Sequence, residues 1–129
     1  MSDKQEKGKL GEDAVCEELK KRGHTILARN YRKRVREIDI ISQVGRFIVF
    51  TEVKARKLGS MVSGLEAVNF TKKRKIVLTA DAYLTENPTE LQPRYDIAEV
   101  WLTRGENPRV VRVDICEDAF DTEGIYTVN

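Results

Sequence analysis

The chain has 129 residues, of which 40% are hydrophobic and 34% charged, with a formal net charge of +2. This suits one ordinary domain that buries roughly two-thirds of its unfolded surface, and it excludes a disordered tail, a collagen and a disulfide miniprotein. No stretch approaches the roughly 20 consecutive apolar residues that span a bilayer, and Met1 to Lys9 contains no apolar signal core, so a cytoplasmic protein without membrane association is expected.

In chain order, Gly8 to Arg22 reads as a helix, with Leu10, Ala14, Val15 and Leu19 apolar and Gly23 as its stop. Glu12, Val15, Cys16 and Leu19 follow i, i+3, i+4, i+7 spacing, which places a carboxylate on the core-facing side. It needs a cation or metal beside it, or a place at the edge of that face. Thr25 to Tyr31, Ile38 to Ser42 and Arg46 to Lys54 read as strands, the last two joined by a tight turn at Val44-Gly45. Gly59 to Gly64 reads as a loop and Leu65 to Leu84 as a second helix. Asn87-Pro88 and Pro93 bracket a turn before a strand at Tyr95 to Thr103. Gly105 to Pro108 turns again into a strand at Val110 to Ile115, and an acidic, partly ordered tail follows. The order α-β-β-β-α-β-β predicts a single α/β domain over residues 1–129, its core about 8–115, built on a central mixed sheet flanked by helices.

The small net charge hides a segregation. Residues 20–57 carry twelve basic and three acidic side chains, whereas residues 81–129 carry four and eleven. The basic residues fall in groups: Lys20-Lys21-Arg22, Arg32-Lys33-Arg34 with Arg36, Arg56-Lys57, and Lys72-Lys73-Arg74-Lys75. Any one group reads as a solvated face. Four of them around one acidic motif point to a nucleic acid, because Lys and Arg contacts to phosphate supply most sequence-independent affinity.

Two cysteines, Cys16 and Cys116, lack any CxxC spacing and read as buried, inert thiols. One histidine, His24, excludes a paired-histidine metal site; following Gly23, it reads as structural or solvent-facing rather than as a catalytic base.

Alternation along the third strand puts Ile48, Phe50, Glu52 and Lys54 on one face. With Val44-Gly45 as the loop, Asp39 opposes Phe50, so Asp39, Glu52 and Lys54 converge. The flanks are so apolar that the sheet should be covered on both sides. Two acids and a lysine there form either a structural ion pair or a catalytic site. Carboxylates suit a hard cation such as Mg2+ or Mn2+, and a lysine can orient or deprotonate an attacking water, so phosphodiester hydrolysis is the matching chemistry. The basic surroundings and Glu12 favour the catalytic reading.

Gly8-x-x-Gly11-Glu12, Arg29-Asn30-Tyr31-Arg32, Glu37-Ile38-Asp39, Phe50-x-Glu52-Val53-Lys54-x-Arg56, Ala67-Val68 with Lys72, Ala82-Tyr83-Leu84 and Arg94-Tyr95-Asp96 together resemble the YraN-type family of small bacterial proteins. That family is grouped with the archaeal Holliday-junction resolvases in the PD-(D/E)xK nuclease superfamily, so the resemblance implies a restriction-endonuclease-like fold. It also implies a metal-dependent endonuclease acting on branched DNA, with Asp39 and Glu52 as metal ligands, Lys54 positioning water, and Glu12 completing the site. Lys72 would contact phosphate, and Glu37 would be a further ligand or a surface residue. Arg94 and Asp96 would form an ion pair fixing their strand, or act directly. Arg32, Lys33, Arg34, Arg36, Arg56, Lys73, Arg74 and Lys75 would line the DNA, and a symmetric homodimer follows by analogy. Arg36 stands where the family usually has glycine, and Val15 where alanine is common. The alternative is a nucleic-acid-binding module that does not cut.

Overall fold

The computed structural model describes residues 3–60 and 68–126. Helix α1 (Asp3–Lys21) is followed by strands β1 (Thr25–Lys33), β2 (Arg36–Val44) and β3 (Phe47–Lys57). Helix α2 (Phe70–Glu86) and strands β4 (Gln92–Leu102) and β5 (Val110–Phe120) complete the chain. One five-stranded mixed sheet has the order β1-β2-β3-β4-β5, with β3 and β4 parallel and every other pair antiparallel. The parallel pair demands a crossover, which α2 supplies. No helix among the described residues is long and apolar enough to cross a membrane.

The expected α/β class and element order hold, and several boundaries move. Helix α1 begins before Gly8, because its backbone continues past the apolar stripe. Residues 61–67, which hold most of the expected loop and the expected start at Leu65, lie outside the described residues; α2 begins at Phe70, where the Asn69 side chain accepts the Lys72 N–H at 3.0 Å as a helix cap. Strand β5 runs five residues past Ile115, and Phe120 and Ile125 are buried in the core. The expected acidic tail therefore packs through residue 125, because its few apolar side chains cover α2 and the sheet.

Both faces of the sheet are covered, as the unbroken apolar runs demand. Ile41, Ile48, Phe50, Tyr95 and Ile97 pack with Val77 and Ala80 of α2. On the other face Ile40, Ala98 and Val100 pack with Val15, Cys16 and Leu19 of α1. A Cβ on Gly11 would already touch Ala55 and Val53 at 3.6 and 3.7 Å, so a side chain larger than alanine would push α1 off β3.

The hairpin turn differs from expectation. Val44 pairs with Phe47, so the loop is Gly45-Arg46, with Gly45 at φ +55°. Left-handed backbone favours glycine, which therefore occupies the first loop position rather than the second. The pairing moves two positions along β3, and side chains keep their faces because the strand period is also two. Carried one step past its last pair, Ile40 with Thr51, this register sets Asp39 beside Glu52 instead of Phe50.

Candidate active site

The β2–β3 ladder ends at Ile40 and Thr51. One step further, the Asp39 side chain accepts the Val53 N–H at 2.7 Å, taking a donor that a continued ladder would have used. Strand β2 changes its facing here. Ile38 and Ile41 lie in the α2-side core and Ile40 in the α1-side core, although strict alternation would pair Ile38 with Ile40. Across from Asp39 on β1, Asn30 sits at φ +52°, between Arg29 opposite Ile40 and Tyr31 opposite Ile38. The two irregularities coincide and open the sheet at the aspartate.

Glu52, on the face covered by α2, is buried and receives two lysines. Lys72 Nζ lies 2.9 Å and Lys54 Nζ 3.4 Å from its Oε1. Asp39, Glu52 and Lys54 converge as expected, and Lys72 joins them because the Asn69 cap fixes the first turn of α2 above β3. Burial pushes the Asp39 carboxyl up to about 8, with the neighbouring Glu52 adding to the rise. Burial, and then Lys72, lowers the Lys54 pKa. For Lys72 burial acts downward, but hydrogen bonding with Lys54 and Glu52 raises its pKa overall.

Glu12 approaches from the α1 side. Its side chain is 16% exposed, 3.7 Å from the Arg29 guanidinium, and so stands at the edge of the core face. Burial raises its pKa against the pull of Asn30 and Arg29. Arg29 also holds Asp13 at 2.7 Å, and a cleft of about 570 Å³ is lined by Gly8, Lys9, Glu12, Arg29 and Asn30. Glu37 pairs with Arg32 at 3.4 Å and adds negative charge near Asp39 and Glu12.

Asp39 and Glu52 offer hard oxygen donors, and the repulsion from Glu52 that adds to the burial-driven rise at Asp39 is one a divalent cation would relieve. Among the described residues no three His, Cys, Asp or Glu side chains gather in a metal-holding group. Side chains would supply two ligands, leaving the rest to main-chain carbonyls, water and substrate, which is the usual habit of Mg2+.

The remaining expected residues are dispersed. Arg32, Lys33, Arg34 and Arg36 occupy the far end of the β1–β2 hairpin. Arg56 lies beyond Lys54 on β3, level with Trp101 of β4. Arg74 and Lys75 are exposed on α2, while Lys73 sits over the Phe120 ring at 5.7 Å. Arg94 and Asp96 form a two-pronged ion pair at 2.9 and 2.8 Å on the face opposite Glu52, and Asp96 also accepts the Asp118 N–H at 2.9 Å. Their geometry is that of a strand-fixing pair. His24 is buried with its Nδ1 2.8 Å from Ser42 Oγ, and burial lowers its pKa, consistent with a structural residue.

Glu99 was not anticipated. It is buried level with Lys54, a neighbour created by the parallel β3–β4 register. Arg29 and Asn30 belong to the Arg29-Asn30-Tyr31-Arg32 pattern of the sequence, and the structure adds their approach to Glu12.

The family described as "Uncharacterised protein family UPF0102" matches residues 11–116. A UPF0102 protein of Desulforapulum autotrophicum is 39% identical over 121 residues, 93% of this chain and 97% of the relative. A UPF0102 protein of Chlorobium chlorochromatii is 38% identical over 120 residues, 92% of this chain and 93% of the relative. One from Dictyoglomus thermophilum is 41% identical over 98 residues, 75% of this chain and 83% of the relative. With that match running from the α1 glycine into the last strand, the chain belongs to family UPF0102.

Proposed function

We propose that this protein is a metal-dependent DNA endonuclease on a restriction-endonuclease-like fold, hydrolysing phosphodiester bonds in branched or structured DNA. The observation that carries the reading is the convergence of Asp39, Glu52, Lys54 and Lys72 at the place where the β2–β3 ladder ends. Asp39 and Glu52 hold the cation, Mg2+ or Mn2+. A cation held by these two carboxylates would supply charge neutralisation at the phosphate and a more acidic water. Lys54, its pKa lowered by burial, orients the attacking water and accepts its proton more readily than an exposed lysine would. Lys72 turns from Glu52 to a phosphate oxygen when substrate enters, and Glu12 completes the acidic rim from α1. Arg74 and Lys75 on α2, with the basic hairpin, hold the DNA backbone.

One observation favours the alternative, a binding module that does not cut. Both lysines already satisfy Glu52, as they would in a purely structural cluster. Incubating a labelled four-way junction and a linear duplex with Mg2+ or Mn2+ separates the two readings. Metal-dependent cutting by the wild type, lost in Glu52→Gln, supports the nuclease; salt-sensitive binding by both proteins without cutting supports the module. Neutralising Lys72, Lys73, Arg74 and Lys75 weakens binding and flattens its salt dependence under either reading.

A further inference from the structure

The β1–β2 hairpin is an arm with an unusual tip. Lys33 pairs with Arg36, leaving a two-residue loop, Arg34-Val35. Two-residue hairpin loops favour Asn-Gly or other glycine pairs, because one or both positions need left-handed backbone. Here Arg34 adopts φ +62° without being glycine, and a β-branched residue follows it. Nothing in turn formation asks for either side chain. Val35 is 96% exposed, the most exposed large hydrophobic among the described residues. A lone exposed valine on a strand is ordinary, but this one stands at a tip between two arginines that make no ion pair among the described residues.

The arm behind the tip is braced. Glu86 of α2 accepts from Tyr31 and pairs with Lys33, both at 2.9 Å, and the Tyr31 ring meets Tyr83 edge-on at 5.2 Å between centroids. Arg32 pairs with Glu37 across the two strands. The arm is thus tied to α2 while its end stays in water.

We infer that Val35, flanked by Arg34 and Arg36, is an apolar wedge that seats against base faces exposed where a DNA helix is interrupted. The inference rests on the DNA-directed reading above and narrows its substrate to branched rather than continuous duplex. The arginines meet the phosphates on either side of the interruption. Val35 covers the unstacked base, a contact that a continuous helix offers only after a step has been opened. Arg36 is three strand residues from Asp39, roughly 10 Å. One DNA segment, at about 3.4 Å per nucleotide, therefore spans the tip and the acidic site within about three nucleotides.

Binding measured in EDTA tests the wedge whether or not the protein cuts. Fluorescence anisotropy is recorded with a labelled four-way junction and a linear duplex of the same length, across a salt series. Val35 touches no core residue, so Val35→Ser should fold with an unchanged melting temperature. Its junction affinity should drop about three- to tenfold, with duplex affinity and salt slope unaltered, and Val35→Leu should restore the preference. Equal loss on both DNAs, or no loss on the junction, overturns the wedge and leaves the DNA-directed reading standing. Absence of salt-sensitive binding to either DNA by the wild type overturns both.

Discussion

The Asp39 carboxylate accepts the Val53 N–H at 2.7 Å, and that bond marks where β2 parts from β3. A side chain has taken the place of a carbonyl in the ladder, which ties the aspartate to the strand that carries Glu52 and Lys54. Its position is fixed by the sheet itself.

The pH dependence of stability follows from this placement. Asp39 ionises at about 8 in the folded protein against an ordinary value of 3.8, so the native state holds a proton that the unfolded state has released across that interval. Stability contributed at this site is therefore lost as pH rises from about 4 to about 8. Asp39→Asn should remove the decline, so its melting temperature exceeds the wild type by more at pH 8 than at pH 4. His24, its pKa lowered by burial from the ordinary 6.5, contributes the opposite slope on the acid side of that value. Because it is common to both proteins, it cancels in the difference between their thermal melts, which reports Asp39 together with the Glu52 and Lys72 charges coupled to it.

Metal binding should be sensitive to Lys72. Its ammonium sits 2.9 Å from the Glu52 carboxylate and would compete with a cation for it. Lys72→Met should tighten Mn2+ binding about three- to tenfold, read by titration calorimetry, while weakening DNA binding. Unchanged Mn2+ affinity would remove Glu52 from the ligand set.

Asn69 caps α2 and thereby sets the turn that carries Lys72. Asn69→Ala should cost about 1 kcal/mol in urea unfolding. The loss should be accompanied by weaker DNA binding, because Lys72 is less well placed.

Asp96 is buried and held by Arg94 and the Asp118 N–H. Asp96→Ala leaves a guanidinium without its partner on the far face of the sheet from Glu52 and should cost about 3–5 kcal/mol in chemical denaturation. A loss below 1 kcal/mol would contradict its role in fixing β4 and β5.

Thr51 marks the contrary case. Its hydroxyl is buried with no hydrogen-bond partner among the described residues. Thr51→Val should leave stability unchanged or raise it by about 1 kcal/mol, because it removes an unsatisfied polar group at nearly constant volume.

Local chemistry in the chain determined much of this protein. Alternation in Phe47 to Lys54 set which side chains share a face, and the unbroken apolar runs required covering on both sides. Even a misplaced hairpin loop preserved the meeting of Asp39, Glu52 and Lys54, because a shift of two positions leaves the β3 side chains on their own faces. Relations between distant segments were decided only in the tertiary structure. Lys72 reaches Glu52 because α2 crosses over between β3 and β4, and Glu99 comes level with Lys54 through a parallel register joining residues 45 positions apart. The break in β2 at Asp39 arises with a left-handed Asn30 on the neighbouring strand. Periodicity is a property of a few consecutive residues and can be read along the chain. Register across a sheet and the seating of a helix are settled by packing between segments, which no short stretch of sequence contains.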